Sequence, residues 1–161
     1  MKNYLRVTFV ICSVFLAIFS FSCYKAPAEI SYNIDVCSEC GMLISDQHFG
    51  AEIVLRNGKY LKYDTIDCLV KSILDKDVKV KQINSRWVVD YSRPANFIYL
   101  PNATFYKGDK IKSPSGFNII AVEDKNVAER IQSKHGGTSS LLKMLSFLLN
   151  KINLLPVFNS H

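Results

Sequence analysis

Two short alternating runs joined by Asn57-Gly58 most constrain how this 161-residue chain can fold. In Ala51–Leu55 and again in Lys59–Tyr63, apolar and polar side chains alternate, as they do in a half-buried strand. Asn-Gly between such runs favours a β-hairpin, because a type I′ turn needs positive φ at both central residues. We therefore predict a hairpin with a type I′ turn over residues 51–63.

Helix and strand signals alternate after the hairpin. Asp64 or Thr65 can cap a helix in which apolar residues recur at helical spacing: Ile66, Leu69, Val70, Ile73 and Leu74. Four later runs have strand character, namely residues 86–91, 97–100, 103–107 and 117–122. A second helix, capped by Asp124 or Asn126, is expected to end near His135. This order predicts a small α+β domain of two related ββαβ-like units.

The N-terminal segment has the features of an export signal. Lys2 and Arg6 form a basic start, and residues 7–21 are a nearly unbroken apolar run that is short for a transmembrane span. Cys23 follows this run after Ser22 and resembles the acylated cysteine of a bacterial lipobox, although Ser20 and Phe21 depart from the usual residues of that pattern. An ordinary signal peptide and an uncleaved anchor are the alternatives. All three place the rest of the chain outside the cytoplasm.

These signals divide the chain into four parts. We predict a signal peptide over residues 1–22, a lipidated N terminus and tether over 23–34, a metal-binding domain over 35–138 and an apolar helix over 139–161. The last helix packs on the domain, on a partner or on the membrane surface. The expected location is therefore the periplasmic face of a membrane, held by the lipid on Cys23.

Charge and motifs exclude several classes of function. The formal net charge of +6 falls to +4 once Lys2 and Arg6 leave with the signal, and the sequence shows no stripe of Lys and Arg with interleaved aromatics. Nucleic acid is therefore not an expected partner. The sequence also lacks a Ser/His/Asp order, a paired-carboxylate motif and a phosphate-binding glycine loop, so we do not expect an enzyme.

Cysteine counting leaves an odd number of thiols in the mature chain. Of five cysteines, Cys12 lies in the signal and Cys23 would carry lipid, which leaves Cys37, Cys40 and Cys68. Three cysteines cannot form a complete disulfide framework. Keeping a free thiol in an oxidising compartment indicates metal binding or redox chemistry.

The sequence from Asp35 to Met42 concentrates soft ligands. Cys37 and Cys40 supply two thiols, and Met42 supplies a thioether two residues further on. Such sulfur donors suit Cu(I) better than hard cations. Gly41 lets the backbone turn so that Cys40 and Met42 can face one ion. We hypothesise a low-coordinate Cu(I) site that contains Cys37, Cys40 and Met42.

Three other interpretations of the two loop cysteines stay open. A zinc site usually needs four ligands, so His48 and Cys68 would have to join Cys37 and Cys40 one at a time. A redox pair should follow a strand and open a helix, whereas this motif precedes all the predicted strands. A plain disulfide is the simplest alternative in an oxidising compartment.

The remaining polar candidates are weaker. Cys68 lies on the amphipathic helix, which favours a small buried apolar residue over a ligand. His135 is a candidate metal ligand from the second unit, or it interacts with the C-terminal dipole of its helix. His48 is near the motif but carries less weight. Three acidic residues are interpreted as solvated: Asp46, Glu52 and Asp64.

Several segments together resemble the NosL family of nitrous-oxide reductase accessory lipoproteins. The resemblance runs from about Asp35 to Gly137 and rests on Cys40-Gly41-Met42 and on four further groups: Phe49-Gly50-Ala51-Glu52, Tyr63-Asp64, Cys68-Leu69 and His135-Gly136-Gly137. It implies a periplasmic or outer-membrane lipoprotein that binds one Cu(I) and delivers it to nitrous-oxide reductase or its assembly machinery. It also implies a fold of two ββαβ units, similar to the core of an organomercurial lyase.

The chain departs from the family at one position. Family members often have Ser-Pro-Met-Gly in the second half, whereas this chain has Ser113-Pro114-Ser115-Gly116. If the family methionine binds copper, this chain uses another ligand or binds more weakly. The alternative functions are a thiol–disulfide oxidoreductase and a metal-free interaction lipoprotein.

Overall fold

The computed structural model of the chain describes residues 25–75 and 77–136. It contains six strands and two α-helices: β1 (Ala51–Leu55), β2 (Tyr60–Tyr63), α1 (Ile66–Leu74), β3 (Ile83–Val89), β4 (Phe97–Tyr99), β5 (Thr104–Lys107), β6 (Ile119–Val122) and α2 (Lys125–His135). The predicted α+β class is confirmed. The predicted signal peptide, the lipidation site Cys23 and the apolar helix over 139–161 lie outside the described residues.

The predicted hairpin forms, but its turn differs from the prediction. Strands β1 and β2 pair antiparallel, with Ala51 opposite Tyr63. Of the two central residues only Gly58 has a positive φ, of 89°. Its N–H donates to Leu55 O at 2.9 Å, and the N–H of Leu55 donates to the carbonyl of Lys59 at 2.8 Å. The connection is therefore a three-residue loop that ends in a left-handed glycine, and the type I′ prediction was wrong.

The strands form two sheets. The larger sheet has the order β2-β1-β3-β4, and the smaller contains β5 and β6. A parallel bridge between Asp90 and Ala121 joins them, with the N–H of Tyr91 donating to Ala121 O at 2.9 Å. The first unit is β1-β2-α1-β3, as predicted. In the second, β4 pairs with the larger sheet, and no strand follows α2 within the residues described.

Helix α1 is fixed firmly to the larger sheet. Its buried face packs into a core shared by both sheets, in which Leu69, Ile53 and Phe105 are all buried. The hydroxyl of Ser72 donates to the hydroxyl oxygen of Tyr63, the last residue of β2, at 3.0 Å. This anchoring fixes where the N-terminal turn of α1 lies, and that turn carries Asp67 and Cys68.

The residues predicted as a tether pack on the domain from Lys25 onward. Lys25 N–H donates to the side-chain oxygen of Asn84 at 3.0 Å, and Ala28 N–H donates to Glu52 Oε1 at 2.8 Å. Ile30 is buried in the main core. This segment covers β1, so Glu52 is fully buried and the prediction that it is solvated was wrong.

Helix α2 packs on the smaller sheet. Asp124 caps it, since its side chain accepts the N–H of Asn126 at 2.8 Å, and the helix ends before Gly136 at a φ of 64°. Both predicted boundaries are therefore confirmed. Within residues 25–75 and 77–136, neither helix is long and apolar enough to cross a bilayer.

Candidate metal centre

The cysteine motif forms a tight loop beside the hairpin, which we call the cysteine loop (residues 35–44). Val36 and Leu43 form an antiparallel bridge, and the N–H of Cys37 donates to Met42 O at 2.8 Å. The N–H of Ser38 donates to the carbonyl of Lys62 at 2.8 Å. The loop is therefore closed on itself and fixed to strand β2.

Gly41 allows the loop to reverse. Its N–H donates to Cys37 O at 3.0 Å, and its φ is +73°. L-residues with a side chain rarely adopt this conformation, whereas glycine adopts it at no steric cost. The reversal places Cys40 near Cys37. That Gly41 also turns Met42 toward the same ion remains a prediction, because Met42 is 56% exposed.

The N-terminal turn of α1 supplies a second group of donors. Thr65 is the N-cap residue, and its side chain accepts the N–H of Cys68 at 3.4 Å. Asp64 precedes the cap and is 4% exposed. Strand β2 ends at Tyr63, and its Lys62 is hydrogen-bonded to Ser38 of the cysteine loop. Helix α1 therefore begins next to that loop.

These two segments bring four donor groups together. One ligand atom from each of Cys37, Cys40, Asp64 and Cys68 lies within 4.8 Å of the other three. Cys37 is 2% exposed, Cys68 is partly buried and Cys40 is exposed. The four donors thus form one cluster, which we call the thiol cluster, and Cys40 lies at its opening to solvent.

Hydrogen bonding within the cluster favours a thiolate on Cys37. The Cys68 thiol and the backbone N–H groups of Cys40, Asp64 and Glu39 lower the pKa of Cys37 to about 6, although its burial acts in the opposite direction. The same bond to Cys37, together with burial, raises the pKa of Cys68. Burial raises the pKa of Cys40. At neutral pH, one thiolate with two thiols beside it is therefore ready to accept a soft metal ion.

Asp64 contributes a carboxylate oxygen that has no hydrogen-bond partner. Its Oδ1 is buried and unpartnered within the described part of the chain. Buried polar atoms are almost always paired, so an unpaired oxygen on a carboxylate that shares a cluster with three thiols indicates a cation site. The prediction that Asp64 is solvated was wrong.

The other predicted ligands lie elsewhere. Met42 belongs to the cysteine loop but is 56% exposed. His135 is at the C-terminal end of α2, outside the thiol cluster, and the carbonyl of the adjacent Gly136 accepts the hydroxyl of Tyr106. His48 lies against Tyr91, whose carbonyl is 3.0 Å from Nδ1. Met42 and His135 as ligands therefore remain predictions from the sequence.

Ser115 reaches the same helix turn from the second half of the chain. Its hydroxyl donates to Asp67 Oδ2 at 2.6 Å, and Asp67 directly precedes Cys68. The position at which the resemblance led us to expect a methionine therefore contacts the helix turn that bears Cys68.

Cys68 is the donor that the sequence analysis set aside. Its place on the apolar face favoured a buried packing residue, yet the structure puts its thiol beside Cys37. One signal could have identified it. Cys68 is the third helical residue after the Thr65 cap, where backbone N–H groups and the helix dipole favour an anionic sulfur.

An α+β domain that gathers three thiols and a carboxylate at one opening has the donor set of a protein that binds soft metal ions. The profile of the NosL family matches residues 27–145. The chain therefore belongs to the NosL family, which confirms the resemblance.

One solved structure supports this assignment. The crystal structure of the copper chaperone NosL from Shewanella denitrificans has a TM-score of 0.59 and 25% sequence identity to this chain, and the match covers 72% of this chain and 91% of that one. A search of curated proteins gives no match. Because the family is one of copper chaperones, the expectation that the chain is not an enzyme is confirmed.

Proposed function

We propose that this chain is a copper chaperone that holds one Cu(I) ion through Cys37, Cys40 and Cys68. The observation that carries the proposal is the thiol cluster, in which three sulfur donors from two separate segments lie within 4.8 Å of one another. Sulfur ligands favour soft ions such as Cu(I) over hard cations. Family membership and the structural similarity to a copper chaperone support copper as the cargo.

The exposure of the cluster supports a transfer function. Cys37 is buried and binds the ion from the protein interior, whereas Cys40 is exposed and can be replaced by a ligand of the acceptor. Met42 and Leu43 are 56% and 50% exposed beside it. The thioether of Met42 can hold Cu(I) while the ligands exchange, so Met42 acts in transfer more than in storage.

The proposed partner is nitrous-oxide reductase or its assembly machinery, because the chain belongs to the NosL family. We further propose that Cys23 carries a lipid and that the domain works on the periplasmic face of a membrane. The apolar stretch that ends at Cys23 supports this anchoring.

A competition titration tests copper binding. The reduced full chain in detergent is titrated with Cu(I) against a chromophoric chelator without oxygen. We expect one tightly bound ion, and a loss of affinity of more than about 100-fold in Cys37→Ser, since even changes outside the ligand shell cost 10- to 100-fold. Ser38→Ala, in the same loop, is the control. Absence of binding by the reduced wild type would refute the copper proposal.

The Ser115→Met variant tests whether the second half of the chain can supply a ligand. Because Ser115 lies beside the turn that bears Cys68, a methionine there is expected to strengthen Cu(I) binding. Ser113→Met is the matched control in the same loop. Equal affinities for the two variants would show that residue 115 does not reach the ion.

Transfer is tested by mixing the Cu(I)-loaded chain with copper-free nitrous-oxide reductase and measuring copper in each protein after separation. Wild type is expected to lose its copper to the reductase, and Cys40→Ser is expected to transfer it more slowly. If the ion stays on the wild-type chain, the proposed partner is wrong even where copper binding holds.

Lipid attachment is tested by mass spectrometry of the membrane-extracted chain. A diacylglycerol or triacyl mass is expected on a chain that starts at Cys23, and it should be absent from Cys23→Ala. A mature chain that starts elsewhere and carries no lipid would contradict the anchoring proposal.

A thiol–disulfide oxidoreductase is the second candidate, and the lowered pKa of Cys37 favours it. The cysteine loop precedes β1 and does not connect a strand to a helix, which argues against a thioredoxin-like site. A dithiol-reductase assay distinguishes the two functions, because the copper proposal expects no turnover.

A further inference from the structure

The carboxylate in the thiol cluster is not explained by copper. Asp64 is 4% exposed, and its carboxylate hydrogen-bonds with the Cys68 thiol, which helps to raise the pKa of that thiol. Its Oδ1 nevertheless has no hydrogen-bond partner in the part of the chain that is described. Cu(I) prefers sulfur ligands and gains little from a carboxylate oxygen. A site evolved for Cu(I) alone has no need for a buried, unsatisfied oxygen at this point.

The charge of the donor set also favours an ion of higher charge. Once a metal ion has displaced the two remaining thiol protons, three thiolates and one carboxylate carry four negative charges, of which Cu(I) neutralises one and a divalent ion two. The nearby lysines already have acidic partners, since Lys62 pairs with Asp35 and Lys71 with Glu39. Uncompensated charge is costly in a partly buried site, so a divalent ion fits the complete set better.

The number and spacing of the donors suit tetrahedral coordination. Zn²⁺ is bound in proteins by four ligands, at about 2.3 Å from Cys sulfur and about 2.0 to 2.2 Å from Asp oxygen, which places the ligand atoms roughly 3.5 to 3.8 Å apart. The four donor atoms here lie within 4.8 Å of one another. A contraction of about 1 Å therefore closes the site around such an ion.

We propose that Cys37, Cys40, Cys68 and Asp64 form a tetrahedral S₃O site for a divalent thiophilic cation, Zn²⁺ foremost, and that Asp64 is the ligand that distinguishes it from Cu(I). This inference rests on the same cluster as the proposed function. Both ions use the three sulfurs, so they compete, and only the divalent ion uses the carboxylate. A zinc site that contains Cys37 and Cys40 needs two further ligands. Asp64, just before α1, and Cys68, in the first turn of α1, supply them.

Metal titrations of the reduced full chain in detergent test the proposal. Zn²⁺ is titrated against a chromophoric chelator, and Co²⁺ binding is followed by its visible spectrum. We expect one equivalent of each, with the intense d–d bands of tetrahedral Co²⁺. Asp64→Asn should weaken Zn²⁺ binding on the order of 10- to 100-fold and leave Cu(I) affinity unchanged. Asp67→Asn, on the same helix turn, is the control and should behave as wild type.

X-ray absorption of the Zn²⁺-loaded wild type provides a measurement that needs no variant. Three sulfur neighbours and one oxygen neighbour are expected. The proposal is overturned if reduced wild type binds neither Zn²⁺ nor Co²⁺, if the bound zinc has sulfur ligands only, or if Asp64→Asn weakens Zn²⁺ and Cu(I) binding equally. If Cu(I) binds and Zn²⁺ does not, only this inference fails. If neither ion binds, the proposed copper function fails as well.

Discussion

Helices α1 and α2 begin alike and serve different purposes. Each has a side-chain cap, Thr65 for α1 and Asp124 for α2. Helix α1 buries five residues and places Cys68 in its first turn, whereas α2 buries only Ala128. The His135 candidate lies in the last turn of α2, where no thiol or carboxylate is grouped with it among the described residues.

This difference shows why one helix end forms part of a metal site and the other does not. Both helices have a side-chain cap and carry a candidate ligand, Cys68 in the first turn of α1 and His135 in the last turn of α2. Helix α1 packs on the larger sheet through a face of five buried residues, whereas α2 packs on the smaller sheet with Ala128 as its buried residue. Among the described residues, the N-terminal turn of α1 is the helix end that meets the cysteine loop. The site thus depends on the contact between two distant segments more than on either segment alone.

The largest expected effect comes from removing one candidate ligand from each of the two helices. Cys68→Ser should lower Cu(I) affinity by more than about 100-fold, because it removes a sulfur from the thiol cluster. His135→Ala should leave the affinity unchanged, because the cluster forms without it. The same competition titration measures both. A loss of copper in His135→Ala would restore the ligand role predicted from the sequence.

Two buried carboxylates extend the comparison to pH. Glu52, on β1, accepts one N–H while its Oε2 has no partner in the described chain, and burial raises its pKa to about 7. The folded state therefore binds this proton more tightly than the unfolded state does. The resulting stability is complete below about pH 4.5 and is lost as pH rises through 7. Glu52→Gln should raise the free energy of unfolding by about 2 to 3 kcal/mol at pH 8 and change it little at pH 4.5.

Urea unfolding at pH 4.5 and pH 8 measures this effect. Glu29→Gln, in the segment that covers β1, is the control and should show no such pH dependence. A Glu52→Gln variant with the same stability as wild type at pH 8 would mean that the carboxylate is solvated in solution.

Asp90, beside the bridge between the sheets, is expected to behave in the opposite way. Burial alone would raise the pKa of Asp90, but hydrogen bonds from Ser92 and Arg93 outweigh it and lower that pKa. Its stabilisation is therefore present at neutral pH and is lost as pH falls through the lowered value. Asp90→Asn should cost about 2 kcal/mol at pH 7, because charge-assisted hydrogen bonds are weakened. The deficit should shrink on acidification, as urea unfolding along a pH series would show; a constant deficit would assign the loss to packing.

The smallest effect on copper binding separates two glycines with positive φ. Gly41 in the cysteine loop and Gly136 after α2 have φ values of 73° and 64°, and a Cβ at either meets no close atom. Alanine should therefore cost stability through backbone strain alone, about 1 kcal/mol at Gly41 and up to about 3 kcal/mol at Gly136, whose ψ of 174° lies in a region that is essentially restricted to glycine. Only Gly41→Ala should also weaken Cu(I) binding, because it alone changes the position of Cys40. Equal copper affinities would show that the loop adapts to alanine.

Most of the fold could be predicted because its signals are local. Alternation defined β1 and β2, and the caps defined where α1 and α2 begin. The turn type was missed because the Asn57 side chain accepts the N–H of Lys59, which stabilises a conformation other than type I′. The pairing of β4 with β3 depends on long-range packing that no local pattern records.

The site could be predicted only in part for the same reason. Cys37 and Cys40 are close in sequence, so their spacing was informative. Asp64 and Cys68 join them only because the β1–β2 hairpin brings the start of α1 back to the cysteine loop. Glu52 was misjudged because its partner, Ala28, belongs to a segment interpreted as a tether.

The path of residues 25–30 along β1 also sets an orientation. Lys25 contacts Asn84 and lies near Gly58, at the tip of the hairpin, whereas the thiol cluster lies at the Tyr63 end. Strand β1 separates these ends by roughly 15 Å. A lipid two residues before Lys25 would hold the hairpin tip against the bilayer and turn the thiols outward. Copper would then be offered to a partner that approaches from the aqueous side, with the membrane acting as the base of the assembly.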